Sequence, residues 1–287
     1  MRALALHPDV LLVSSALLQA NCVIVRGGVE RDEVEQANEV LRVVQHDPAA
    51  GAETIGETFV IDSPVLPDEL DALPALIEQA RFPRPSGLLA THGDWDHLLG
   101  RLAFPGTALG VAESTAERLG GSPGQAQREL RAFDEELMIE RPRPLSLGSL
   151  QALPVPGRCE LGDRELELHP TPGHTPDGMA VMIGWAGVLA AGDYLSNHEI
   201  PTLPEQGLPE TYLDTLERLR PLVESAGHVV PGHGPVLDRA AALVVLEEDV
   251  GYLRALRDIG LDAKLPAGRR GAVQQKLHAR NASRCAS

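Results

Sequence analysis

Thr91-His92-Gly93-Asp94-Trp95-Asp96-His97 places two histidines and two aspartates within six residues. Ahead of it runs Gly87-Leu88-Leu89-Ala90, an apolar stretch bounded by Pro85, which predicts a buried strand. Behind it, Leu98-Leu99-Gly100-Arg101-Leu102 predicts a short helix. The cluster therefore sits on a strand-to-helix loop, where α/β proteins place their chemistry. Neutral imidazole and carboxylate together suit zinc, iron or manganese. The plain alternative is a polar loop in which Asp94 or Asp96 only caps the helix. Three later stretches weigh against it: Thr171-Pro172-Gly173-His174-Thr175-Pro176, Ala191-Gly192-Asp193-Tyr194 and Val230-Pro231-Gly232-His233-Gly234. Each puts one His or Asp on a Gly- or Pro-marked turn after an apolar run.

Working outward, Val10 to Val25 reads as two adjacent strands, and Thr58 to Ile61 as a strand ending in a turn at Asp62-Ser63-Pro64. Leu70, Leu73, Leu76 and Ile77 have the spacing of an amphipathic helix over 68–80. Ala108–Ala112 predicts the next strand. Two helices follow, 113–119 and 125–138, as an insertion placed to wall the metal loop. The second half alternates strands at 158–161, 165–169, 179–183 and 187–191 with helices at 208–223 and 240–257, and a last strand at His228–Val230. Residues 35–44 are undecided between helix and strand, and Asp47–Gly51 reads as an exposed loop. Two half-units, each a sheet covered by helices and packed sheet to sheet, fit this order.

Composition narrows the partners. The chain has 287 residues, 43% of them hydrophobic, enough for a sizeable core. A formal net charge of −16 disfavours nucleic acid, whose binding rests on neutralising phosphates. Aromatics are 3%, too few for a base-stacking platform. Three widely spaced cysteines form neither a disulfide framework nor a zinc ribbon. Met1 to Cys22 is apolar, but His7, Pro8 and Asp9 interrupt it, so it reads as a strand rather than a leader. No run is long enough to span a bilayer. The expectation is a cytoplasmic protein acting on a small molecule, with its oligomeric state open. Residues 1–263 are expected to form one domain. The basic stretch 264–287, with Arg269, Arg270, Lys276, Arg280 and Arg284, is expected to be a flexible tail.

On these motifs the chain resembles the metallo-β-lactamase superfamily of hydrolases over nearly all of residues 10–257. The family signature runs His-x-His-x-Asp-His, then His, Asp and His. His92, Asp96 and His97 match the first block, His174 the second, Asp193 the bridging carboxylate and His233 the last ligand. The resemblance implies a four-layer αββα sandwich and two divalent metal ions, zinc foremost, with manganese or iron as alternatives. It implies one site of His92, residue 94 and His174, and another of Asp96, His97 and His233, with Asp193 between them. The second signature histidine is here Asp94. Three ligand carboxylates then give −3 against +4 from two ions, where the family pattern gives −2. Extra ligand charge weakens a metal's pull on water and shifts preference toward harder ions.

The implied activity is hydrolysis of a small ester, thioester or lactone by a metal-bound hydroxide, with Asp96 and Asp193 as the catalytic carboxylates. Thr91 and Thr175 are candidates to orient ligands. Tyr194 and His198 are candidates to line the pocket. A mononuclear iron enzyme acting on a persulfide, using His92, His174 and Asp193, and a non-catalytic metal-binding protein are the alternatives.

Overall fold

Strands whose apolar residues run without interruption need cover on both faces, and the chain supplies it in four layers. The computed structural model describes residues 1–28, 56–205 and 207–285. Among these, β1 (Arg2–His7), β2 (Val10–Ser14), β3 (Asn21–Gly27), β4 (Glu57–Ile61), β5 (Gly87–Leu89), β6 (Ala108–Ala112) and β7 (Leu150–Leu153) pair in chain order as one sheet. The second sheet is built from β8 (Gly157–Leu161), β9 (Arg164–Pro170), β10 (Met179–Ile183), β11 (Val188–Ala190), β12 (His228–Val230) and β13 (Leu237–Asp238), in the order β13-β12-β11-β10-β9-β8. Helices α1 (Pro67–Gln79), α2 (Gly100–Ala103), α3 (Glu113–Gly121) and α4 (Gln125–Leu137) belong to the first half; α5 (Pro209–Ser225), α6 (Arg239–Ile259) and α7 (Ala272–Cys285) belong to the second.

The two-residue period of a strand assigns its side chains to layers. Val23 and Val25 of β3 enter the core between the sheets, whereas Cys22 and Ile24 face the first helices. On β10, Met179, Val181 and Ile183 meet them from the other sheet, and Ala180 and Met182 face the second helices. The expected αββα sandwich follows from this double burial. Helix α1 starts at Pro67, which has no N–H to lose there, and buries Leu70, Leu73 and Ile77 on one stripe. Each such side chain contributes about 1.5–3 kcal/mol on full burial.

Most expected elements stand within two residues of their place. The undecided stretch 35–44 and the loop 47–51 lie outside the described residues. Strand β7 was not expected: Leu150–Leu153 is a half-exposed edge strand with no pattern to announce it.

The expected flexible tail is a correction. Residues 272–285 form α7, whose buried stripe is Gln274, His278, Asn281 and Ala282. Ahead of it, Arg269 is 2% exposed and donates to Asp249 Oδ1 at 2.5 Å and Glu248 Oε2 at 3.0 Å. The segment is held by buried polar contacts, with Leu265, Leu277, Ala282 and Cys285 adding apolar cover, so a search for apolar periodicity passes over it. Among the described residues, no helix is long and apolar enough to cross a membrane.

Candidate metal centre

Parallel pairing aligns strand ends, and the site is built on those ends. Strands β4 and β5 run parallel, with Ile61 opposite Leu89, so Asp62 and the Thr91–His97 loop leave the sheet side by side. Strands β11 and β12 also run parallel and deliver Asp193 and His233. His174 comes from the turn after β9. A side chain at Gly232 would collide with Asp193 Oδ1, so only glycine lets this turn lie against the site.

The seven residues singled out from sequence come together in two sets. His92, Asp94 and His174 offer atoms all within 4.8 Å of one another, as do Asp96, His97 and His233. Asp193 lies between the sets. Its Oδ2 is 3.2 Å from His174 Nε2 and 3.9 Å from His92 Nε2. Its Oδ1 is 3.2 Å from His97 Nε2 and 3.5 Å from His233 Nε2. Asp96 Oδ2 lies 3.2 Å from His233 Nε2, and Asp94 Oδ2 lies 3.6 Å from His92 Nε2 and 3.7 Å from His174 Nε2.

The far sides of the imidazoles decide which nitrogen faces inward. His233 Nδ1 donates to the Leu18 carbonyl at 3.1 Å, leaving Nε2 to the site. His97 Nδ1 lies 3.0 Å from Asp62 Oδ2. Thr91 donates its hydroxyl to Asp62 Oδ2 at 2.9 Å and its N–H to Asp62 Oδ1 at 2.8 Å, and its oxygen stands 3.2 Å from His92 Nδ1. Thr91 is thus bonded to Asp62, a residue not singled out from sequence that also stands behind His97. The sign was there to read: a carboxylate at the end of the strand beside the metal-loop strand. Asn21 was also missed; its amide donates to the carbonyls of Pro231 at 2.8 Å and Gly234 at 2.7 Å, clamping the His233 turn.

Three other candidates take the plainer of their two readings. Thr175 is buried, but its hydroxyl has no hydrogen-bond partner among the described residues; its carbonyl accepts from Gly173 at 2.9 Å and shapes the turn. Tyr194 does not reach toward a substrate. Its hydroxyl donates to Thr171 O at 3.0 Å and accepts from His174 N at 2.8 Å, and its ring packs on Tyr212. It fixes the His174 backbone instead. His198 is exposed, and the narrow adjoining cleft is lined instead by Ser196, Glu199, Ile200, Tyr212 and Asp249 beside His174, Asp193 and His233. Trp95 packs on Phe133 of α4, with ring centroids 4.5 Å apart.

The electrostatics describe a cage that wants cations. Burial alone would lift Asp193, but the pull of His233, His97 and His174 holds it well below the usual carboxylate range. Burial alone would lower the imidazoles; the facing carboxylates instead raise His174 to about 9 and His233 to about 10. Asp62, Asp193 and Asp96 likewise hold His97 well above its ordinary value against its burial. Even so, His92 Nε2, His97 Nε2 and Asp193 Oδ1 are buried with no hydrogen-bond partner among the described residues. Lone pairs of nitrogen and carboxylate oxygen, aimed inward and otherwise unused, fit divalent metal ions.

The sequence profile of the metallo-beta-lactamase superfamily matches residues 56–233, more than half of the chain and nearly all of this site. The chain belongs to that superfamily. Superfamily members bind divalent metal ions, and the His and Asp groups here are of that kind. A hydroxyacylglutathione hydrolase from Anaeromyxobacter dehalogenans (strain 2CP-C) is 31% identical over 206 residues, covering 70% of this chain and 66% of that protein. The chain thus spans just under two thirds of that relative's length. A metallo-beta-lactamase family protein from Thermus thermophilus shares the fold with a TM-score of 0.63 at 20% identity, over 96% of this chain and 93% of that one. The sec-alkylsulfatase Pisa1 from Pseudomonas sp. gives a TM-score of 0.69 at 14% identity, covering 99% of this chain and 49% of that one. At these identities the solved superfamily structures speak to the fold.

Proposed function

We propose that the chain is a metal-dependent hydrolase of a small ester, thioester or lactone, holding two divalent ions, zinc foremost. His92, Asp94 and His174 would hold one, Asp96, His97 and His233 the other, with Asp193 bridging. The observation that carries this reading is the division of Asp193: one oxygen turns to each set. The ions, when bound, supply acidified water and a Lewis acid for the substrate's carbonyl oxygen. The chain's own residues supply the rest. Thr91 and Asp62 hold His92 and His97 with Nε2 forward, and Leu18 does the same for His233. Asp193 would join the two sets, and Asp96 would be a ligand and the carboxylate that carries a proton as water adds. Leu195, Ile200 and Tyr212 give the cleft apolar walls that limit free water.

Among the described residues no Lys or Arg lines that cleft, while Glu199 does, and Asp249 lies there bonded to Arg269. Burial raises the Glu199 carboxyl above its usual range. Such walls favour an uncharged acyl group over a polyanionic conjugate. A mononuclear iron reading would leave Asp96, His97 and His233 gathered for nothing.

The test is hydrolysis of a panel of aryl esters, thioesters and lactones by protein stripped of metal and then reloaded with zinc, manganese or iron. Activity that appears only on reloading supports the reading; persulfide-dependent oxygen uptake with one bound iron would replace it.

A further inference from the structure

Arg118 of α3 stands against Asp94, and the contact is built rather than casual. Its Nη2 donates to Asp94 Oδ1 at 2.6 Å, and its Nη1 donates to Asp177 Oδ1 at 2.8 Å. Asp177 is 1% exposed, and its second oxygen accepts from Gly93 N at 2.9 Å. The Thr115 hydroxyl, one turn back on α3, donates to the Asp177 carbonyl at 2.8 Å. A side chain at Gly93 would start 3.0 Å from Asp177 Oδ2, so that glycine lets the bridge close. The guanidinium is therefore locked from behind by a buried carboxylate and spans to Asp94 as a planar fork, which a lysine cannot do.

This lock sorts the two oxygens of Asp94. Oδ1 belongs to Arg118. Oδ2 faces the imidazoles, 3.6 Å from His92 Nε2 and 3.7 Å from His174 Nε2. A free carboxylate can grip a cation with both oxygens or swing away; this one offers a single donor atom from a fixed position, as an imidazole does. The guanidinium also sets one positive charge against the three ligand carboxylates, and shares it with Asp177.

We propose that Arg118, locked by Asp177, is a positioning residue that makes Asp94 a one-oxygen ligand of the first metal site, so that the pair replaces the single histidine of the family pattern. The proposal rests on the two-metal reading. It removes the expectation that Asp94 shifts the first site toward harder ions. It also gives the helical insertion a role, since α3 brings Arg118 to the metal loop.

The test is a double-mutant cycle read as zinc affinity rather than activity. Full-length protein is stripped with a chelator and titrated with zinc against a chromophoric competitor, giving two stepwise constants. Arg118→Met is expected to weaken first-site zinc roughly 10–100-fold, the usual effect of losing a ligand's orienting partner. The second-site constant stays as in the wild type; the melt of the metal-free protein falls, because the buried Asp177 loses its guanidinium, so both constants are read well below that melt. In an Asp94→His background the same Arg118→Met change shifts the constant by about twofold or less, because a neutral imidazole needs no guanidinium. An unchanged first-site constant in Arg118→Met, or an equal loss in both backgrounds, overturns the proposal. Should Arg118→Met not fold, Arg118→Lys serves in the same cycle, with first-site loss again expected only beside Asp94. A wild-type protein that takes up no zinc overturns the two-metal reading and this proposal with it; two bound zinc ions with an indifferent Arg118→Met overturn this proposal alone.

Discussion

The metal loop at 91–97 and the C-terminal segment at 264–285 both work through polar side chains, yet in opposite ways. The loop gathers its donors within a few residues of each other, and its role follows from residue type: imidazole and carboxylate have few uses so close together. The C-terminal segment works through partners 70 to 80 residues away. Arg269 donates to the carbonyls of Ser196 at 3.0 Å and Glu199 at 2.9 Å. Gln274 accepts from Ile200 N at 2.9 Å, and Asn281 accepts from Leu203 N at 3.1 Å and donates to Pro201 O at 2.6 Å. Of these partners, all between 196 and 203, Ser196, Glu199, Ile200 and Pro201 line the cleft beside His174, Asp193 and His233. Chemistry written in residue types can be read along the chain; a strap written in long-range polar contacts cannot.

If the division is real, variants of the two regions should fail differently, the strap in stability and the loop in metal. The largest effect is expected from Arg269→Met. It leaves Asp249 buried without its guanidinium, at a cost of about 3–5 kcal/mol. Burial pushes Asp249 up to about 7 against the pull of Arg269. A carboxyl raised in the fold gives stability that is complete below its unfolded value and is lost as pH rises through about 7. The variant's loss should therefore be smaller at pH 5 than at pH 8, where the lone charge must be buried. Denaturant melts of the metal-free protein at both pH values decide it, and an equal loss at both would contradict this account of the strap.

On the loop side, Asp193→Asn should cut kcat/KM by roughly 10²–10³, the scale of losing a group that stabilises developing charge. Full activity in the variant would remove Asp193 from the chemistry. Asp62→Ala sits between the two kinds: it touches no metal, yet it orients His97 and Thr91 from another strand. A loss of roughly 10–100-fold in metal affinity is expected by competitive titration; unchanged affinity would remove Asp62 from the site.

Glu69 is the mildest case of the second kind. It accepts from Ser15 Oγ at 2.5 Å and Ala16 N at 2.8 Å, more than 50 residues back, and these bonds outweigh burial to lower its carboxyl. A lowered carboxyl contributes stability above its unfolded value, near 4.5, that is lost as pH falls. Glu69→Gln should cost about 1–2 kcal/mol at pH 7 and almost nothing at pH 3. A cost independent of pH would mean that packing, not ionised hydrogen bonding, holds Glu69.

The same division explains what the sequence disclosed. Most strands of both sheets, β7 and β13 excepted, and helices α1, α5 and α6 were legible because apolar runs and apolar periodicity made them. All seven proposed ligands were legible because turn glycines and prolines framed them. Asp62, Asn21, Arg118 and Asp177 were not, since each is an ordinary polar residue until the fold brings its partner. Tyr194 was legible as a neighbour of Asp193 but not in its direction, which Thr171 and His174 set. Helix α7 stayed hidden because its buried stripe is polar.

The central claim is that Asp193 joins two metal sites rather than completing one. Counting metal per chain by elemental analysis tests it most directly, on protein stripped and then reloaded with zinc, with Asp193→Asn alongside. Two zinc ions per chain, falling in the variant, is the predicted result. One ion or none in the wild type, whichever metal is offered, would contradict it.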